Sequence, residues 1–364
     1  MPDADTALLA ERCAAQLLSG ARSAAPVDVV RTLLAVQGQD PRGARLAIRA
    51  RTEGLTAADV DRALTQDRTL LITWLNRGTL HLVAAEDYWW LQLLTTPPME
   101  SAIARRLDQE GVSPGEADKA VELIDAALAA EGALTRAQLG DVISRAGIRT
   151  KGQALVHILA RASIRGLVIR GPVIGRQHAF VLVRDWLGQV PARFRPGRFD
   201  RDGALAELAR RFLAGHAPAD ERDLAKWAGL PLRDARRGLS AIGGELGERS
   251  DGLAELRSPS DGLAELRSPS GRSRAAPALP SPRLLGSYDP LLHGWTDRKP
   301  VLGEATGIVT VNGLFRPFAL VDGRAAGLWS LAGGTVKLSE FAPLPDQVTV
   351  ALQAEARDVI RFLG

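Results

Sequence analysis

The chain has 364 residues, enough for two to three domains with substantial cores, and a hydrophobic content of 46% that excludes a disordered polypeptide. It contains no run of about 18 apolar residues and no secretory signal in MPDADTALLAERC, so a cytoplasmic protein without membrane partners is expected. The formal charge is only +4, but five of the 46 basic residues are lysines and the rest arginines, the side chain suited to bidentate phosphate contacts.

The first unit begins with an amphipathic helix expected over 6–19, in which the single cysteine, Cys13, reads as a small core residue. Pro26 opens a second helix that carries Val29, Val30, Leu33 and Val36 to the turn Gln37-Gly38-Gln39-Asp40-Pro41. After the turn, Leu46 and Ile48 alternate with Arg45, Arg49 and Arg51, the pattern of a strand with a row of guanidiniums on one side. Thr56 and Asp59 start a helix through Leu64, and LLITWLNRGTLHLV over 70–83 reads as a hairpin with Asn76-Arg77-Gly78 as its turn. Arg77, Thr79 and His81 fall in phase on one side of that hairpin and are assigned to DNA contact; for His81 a structural imidazole is the alternative.

Helices followed by a hairpin make the pattern of a winged helix, and the pattern recurs. Helices are expected over 119–130, from the capping-box spacing of Thr135 and Gln138 to about 147, and over 151–165, with strands over 167–172 and 179–183. A third copy has helices over 203–214, 220–228 and 232–242. The decapeptide DGLAELRSPS then occurs twice, over 251–260 and 261–270, and reads as a duplicated surface loop; the tail after it offers Arg272, Arg274 and Arg283 to phosphates. From Leu284 the sequence turns strand-like, with turns at Asn312-Gly313 and Asp322-Gly323, a last strand over 347–352 and a closing helix over 354–362. The expected fold is α+β: three tandem winged-helix units (1–95, 96–198 and 199–283) and a C-terminal β-rich domain (284–364), together forming a concave DNA-binding surface.

Two glutamines flanking one glycine can each bring a donor and an acceptor to one small space. Taken alone, this pattern is far more often a solvated turn than a site, and Asp40 before Pro41 reads as a turn residue before it reads as a base. The five histidines are scattered and form no metal-ligand spacing, so neither a metal nor another cofactor is expected.

The segments RGTLHLVAAEDY (77–88), FLAGHAPADERDLAKWAGL (212–230), LLGSYDPLLHGWTDR (284–298) and VDGRAAGLW (321–329) resemble the winged-helix DNA glycosylases of the AlkZ type. The resemblance covers nearly the whole chain, with the repeated decapeptide as a departure. It implies that Gln37 and Gln39 stand at the family's Gln-x-Gln catalytic motif. It implies a monofunctional enzyme, without lyase activity, that hydrolyses the N-glycosidic bond of N7-alkylguanine, including bulky adducts and interstrand crosslinks. The partner would be double-stranded DNA carrying alkylated guanine, bound by a monomer, in repair or in self-resistance to an antibiotic. Which glutamine holds the water stays open. The rivals are a winged-helix transcription regulator and a lesion binder without catalysis.

Overall fold

The glutamine pair lies between two helices, not between a helix and a strand. The computed structural model describes residues 4–175, 177–257 and 277–364, so the repeat beyond 257 and the arginines Arg272 and Arg274 lie outside the described residues. In chain order, α1 (Ala4–Ala15) and α2 (Pro26–Leu33) lead to a two-residue strand β1 (Val36–Gln37), followed by α3 (Pro41–Arg49) and α4 (Ala57–Thr65). The hairpin β2 (Leu70–Leu75) and β3 (Thr79–Ala84) precedes α5 (Tyr88–Thr95), α6 (Glu100–Gln109), α7 (Pro114–Glu131), α8 (Arg136–Arg145) and α9 (Ala154–Ile164). A second hairpin, β4 (Val168–Ile174) and β5 (Gln177–Leu182), is followed by α10 (Val183–Trp186), α11 (Arg201–His216), α12 (Glu221–Ala228) and α13 (Leu232–Ala241). The C-terminal part holds β6 (Arg283–Leu285), α14 (Lys299–Leu302), β7 (Phe318–Val321), β8 (Arg324–Ala332), β9 (Thr335–Glu340) and α15 (Asp346–Leu363).

Two expected strands are helices. The segment after the glutamines forms α3 because Asp40 caps it, accepting from the Arg42 amide at 3.0 Å, and Pro41 supplies the preset φ of a first helical position. The expected strand over 347–352 is the first part of α15, whose inward residues Leu352, Glu355, Val359 and Phe362 fall on one face at helical spacing. Strand β9 had no expectation. The hairpin turn at Asp322-Gly323, the Asn-Arg-Gly turn and the capping box at Thr135 stand where the sequence places them.

The chain packs as two compact units, each discontinuous in sequence: one comprises 1–57, 202–227 and 231–364, the other 58–201 and 228–230. In the second unit the antiparallel strands run in the order β3-β2-β4-β5. The Asn76-Arg77-Gly78 turn closes β2 on β3, bringing Thr73 opposite His81. The Thr73 hydroxyl is tied to that of Ser163 on α9 at 3.0 Å, joining helix and sheet. In the first unit an antiparallel sheet of order β6-β7-β8-β9 has α15 against it. Among the described residues no helix is long and apolar enough to cross a membrane.

The first unit also buries the titratable side chains of Cys13 and His216 in its core. Burial pushes the Cys13 thiol up to about 12, which makes it a packing residue and not a nucleophile. His216 stacks on Phe212 at 4.6 Å and lies edge-on to Trp227 and Trp295, and burial drives its pKa down to about 3. His81, in the other unit, is lowered to about 3 by burial and, secondarily, by Arg77. Unfolding returns each imidazole to its ordinary value near 6.5, so below that pH the unfolded chain binds protons that the folded chain does not. Stability is therefore fully present above about pH 6.5 and falls as pH drops toward 3, by up to about 1.4 kcal/mol per pH unit for each histidine. Denaturant titrations at pH 7, 6 and 5 should show this decline, and His216→Gln should make it shallower, leaving the His81 share; an unchanged slope in the variant would remove His216 as a contributor.

Candidate active site around the glutamine pair

The path into the site is set by a bulky residue in a costly conformation. Leu34, fully buried, ends α2 with φ of 62°, and the next amide, that of Ala35, bonds to the Leu33 carbonyl at 2.7 Å. This sharp exit turns the chain into Val36 and Gln37, and Asp40 immediately starts α3. Both glutamines are thus held between two helix termini.

Within that short span the side chains find each other. Gln37 Nε2 donates to Gln39 Oε1 at 3.0 Å. Gln37 is 6% exposed and Gln39 is exposed, so the pair runs from the interior to the surface. The contact leaves Gln37 Oε1 as an acceptor, buried and, among the described residues, without a hydrogen-bond partner. A buried amide oxygen left unsatisfied costs free energy, and such a group in a structure calls for an explanation. Here the geometry supplies one: an amide fixed through its NH₂ group presents a carbonyl oxygen able to accept from a water or a substrate donor.

Asp40 is the nearest carboxylate in sequence, and its oxygen is engaged by the Arg42 amide. Asp40→Ala should cost about 1 kcal/mol of stability, the worth of a helix cap, while leaving single-turnover base release within about threefold. A collapse of release with little change in melting would instead give Asp40 a role as a base.

The strand expected over 45–51 is replaced by the end of α3 and the residues after it, and Arg49 and Arg51 turn into the core. Arg49 is 2% exposed and donates to Glu355 at 2.8 Å, to Asp358 at 2.7 Å and to the Leu284 carbonyl. Arg51 is fully buried, clamped by both oxygens of Asp289 at 2.9 and 2.8 Å and by the carbonyls of Gln16 and Ala47. Both side chains are engaged inside the first unit, tying α3 and the residues just after it to distant parts of the chain. Arg283 is likewise paired with Glu355, at 3.5 Å. Arg45 is half-buried and donates to the Pro41 carbonyl at 2.9 Å.

In the other unit the hairpin turn presents Arg77 at the surface, with φ of 32°, and Gly229 approaches it so closely that a Cβ there would lie 2.6 Å from the Arg77 amide nitrogen. Thr79 is half-buried. His81 is 4% exposed, and its Nδ1–H donates to the Thr79 carbonyl at 3.0 Å. Burial holds His81 at about 3, so its imidazole is neutral at physiological pH and sits inside the hairpin, the geometry of the structural alternative. Sequence reasoning passed over Tyr288, inside the recognised LLGSYDPLLHGWTDR segment; its ring packs on His293 and Phe315, while the preceding Gly286 and Ser287 lie against α3.

The chain matches the family model described as "DNA glycosylase AlkZ-like" over residues 30–362. The fold and the family model define a DNA glycosylase class of protein. The chain belongs to the AlkZ-like DNA glycosylase family. A curated relative, the interstrand DNA cross-link repair glycosylase of Streptomyces sahachiroi, is 24% identical over 355 residues, covering 93% of this chain and 90% of the relative. The solved structure of the Streptomyces sahachiroi DNA glycosylase AlkZ shares the fold, with a TM-score of 0.72 at 23% identity over 100% of this chain and 97% of that one. The family favours the glycosylase over the regulator.

Proposed function

We propose that this protein is a monofunctional DNA glycosylase that hydrolyses the N-glycosidic bond of N7-alkylguanine, with Gln37 and Gln39 as its catalytic pair. The observation that carries the reading is the buried, unpartnered Gln37 Oε1 beside a fixed Gln37 Nε2. Alkylation at N7 gives the base a positive charge, so it leaves without a protonating acid and the sugar becomes oxocarbenium-like. What remains is to place a water at C1′ and to stabilise developing positive charge. Gln37 Oε1 accepts from that water, and Gln39 holds the amide in place; the role of each follows from which end of Gln37 is already bonded. Neutral amides make weak Brønsted bases, so unmodified guanine is left intact.

The name of the Streptomyces relative extends the substrate to interstrand crosslinks, the bulkiest case of the same leaving group. No cofactor enters the reaction, and no lysine nucleophile is assigned, so the product is an abasic site and not a cleaved strand. The three-unit winged-helix organisation, a concave basic surface, a monomeric state and a cytoplasmic location belong to this proposal. Arg45, Arg77 and Thr79 are its DNA contacts, while Arg49, Arg51 and His81 act inside the protein. The test is single-turnover release of free base from a duplex carrying one N7-alkylguanine, read against the spontaneous rate and against a duplex with a bulky crosslinking adduct. Release from neither duplex above the spontaneous rate would end the enzymatic reading.

A further inference from the structure

We propose that Tyr288 is a lesion-contacting residue whose ring is the surface on which the cationic N7-alkylguanine stacks beside the glutamine pair. The assignment rests on the glycosylase reading above and adds to it a source of selectivity that the two amides lack.

Placement comes first. The loop 286–289 is pressed onto the first half of α3: a Cβ on Gly43 would collide with the Ser287 carbonyl oxygen, and a Cβ on Gly286 would lie 2.8 Å from Leu46 Cβ and 3.1 Å from the Gly43 backbone. Two glycines therefore let the chains touch backbone to backbone. The same Gly43 position lies 3.2 Å from a carboxylate oxygen of Asp40, which directly follows Gln39. Tyr288 thus belongs to a loop packed on α3 close to Asp40, the residue after Gln39. Burial first, and the Asp40 charge second, push its hydroxyl above the ordinary tyrosine value.

The backbone conformation is the second observation. Tyr288 sits at φ of 57°, in the left-handed region where an aromatic side chain is strained and glycine is not. Its neighbour Asp289 is fully buried and clamped by Arg51, so the strain is imposed by an anchored loop. The ring gains no full burial in return, since Tyr288 is only half-buried.

The third observation is how the ring is held. His293 lies nearly parallel to it at 6.1 Å, Phe315 packs against it at 5.3 Å, and a backbone hydrogen bond from Phe315 meets its hydroxyl. The ring is fixed at its edge and on one side, as a platform is. An N7-alkylated purine is a flat cation, and the face of a tyrosine attracts it more strongly than neutral guanine.

The test uses the full chain with Tyr288→Gly and Tyr288→Phe. Three quantities are read: melting temperature, single-turnover release of N7-methylguanine, and the affinity ratio between undamaged DNA and a duplex whose N7-methylguanine carries a 2′-fluoro sugar that blocks hydrolysis. Glycine relieves the backbone, so Tyr288→Gly should melt within about 3 °C of the wild type or above it, while discrimination for the lesion and the release rate each fall by about tenfold or more. Tyr288→Phe keeps the stacking face and should stay within about threefold on both. Discrimination retained by Tyr288→Gly overturns the proposal, as does an equal loss in Tyr288→Phe, which would assign the role to the hydroxyl. A melting loss well beyond 3 °C in Tyr288→Gly overturns it too, because the ring would then be packing. If the wild type itself releases no base, the glycosylase reading fails and the Tyr288 assignment with it; wild-type release with an indifferent Tyr288→Gly sinks the Tyr288 assignment alone.

Discussion

Gln37→Ala should slow the release of N7-alkylguanine by about a hundredfold or more at unchanged DNA affinity, and Gln39→Ala by about tenfold, a difference of roughly 1.4 kcal/mol in transition-state stabilisation. The asymmetry follows from the single hydrogen bond between them. Gln37 supplies the Nε2–H that donates to Gln39 Oε1, so its own Oε1 is the buried acceptor left for the reaction. In the proposed mechanism, removing Gln37 removes the group that positions water, while removing Gln39 only frees an amide to rotate. Positioning effects of this kind are worth several kcal/mol when the reacting atoms are held near attack distance.

Gln39→Glu sharpens the test. A carboxylate at 39 still accepts from Gln37 Nε2 and should keep release within several-fold of wild type, whereas Gln39→Leu cannot accept and should resemble Gln39→Ala. If Gln39→Ala proves the more damaging substitution, the water belongs on the exposed glutamine and the roles given above are reversed. If neither alanine variant slows release while DNA binding holds, the motif is a helix turn and nothing more.

How much of this was legible in the sequence depends on the range of the interaction that decides it. Local chemistry was readable: the Asn76-Arg77-Gly78 turn, the capping box of Thr135 with Gln138 and the Asp322-Gly323 hairpin are fixed by residues within a few positions of one another. The segment 45–51 was not, since Leu46 and Ile48 alternate with arginines as in a strand while also fitting a helix. The deciding signal was Asp40-Pro41, a cap followed by a first-turn proline, and reading it as a turn lost α3. The arginines were lost for a different reason. Burying Arg49 and Arg51 depends on carboxylates at 355, 358 and 289, more than 200 positions away, and no periodicity points to a partner at that distance. The strand expected over 347–352 failed similarly: alternating Val348, Val350 and Leu352 suit a sheet, but the helix face carrying Glu355 to Arg49 decides the matter. For the glutamine pair, the spacing and the family resemblance singled out the residues proposed as catalytic; the direction of their hydrogen bond needed coordinates.

Arg51→Met should be the most destabilising single change near the site, lowering the unfolding free energy by about 3–5 kcal/mol, because it strips the partner from a carboxylate that cannot reach water. Asp289 is fully buried and accepts from Arg51 through both oxygens, with the Leu291 amide as a further donor. Asp289→Leu should cost a comparable amount by stranding the guanidinium, whose remaining bonds to the Gln16 and Ala47 carbonyls do not neutralise it. The double variant, apolar on both sides, should recover much of the loss, giving a coupling energy of about 2 kcal/mol or more in a double-mutant cycle. Recovery of folding need not restore chemistry. The pair ties α3, which starts one residue after Asp40, to the loop that carries Tyr288, and an apolar replacement lets that loop settle without the strained backbone at 288. Base release in the refolded double variant should therefore stay well below wild type, while Gln37 and Gln39 remain unaltered. Denaturant unfolding of the four proteins separates the possibilities: additive losses would show that Arg51 and Asp289 act independently, and a fully active double variant would show that the buried pair serves stability alone.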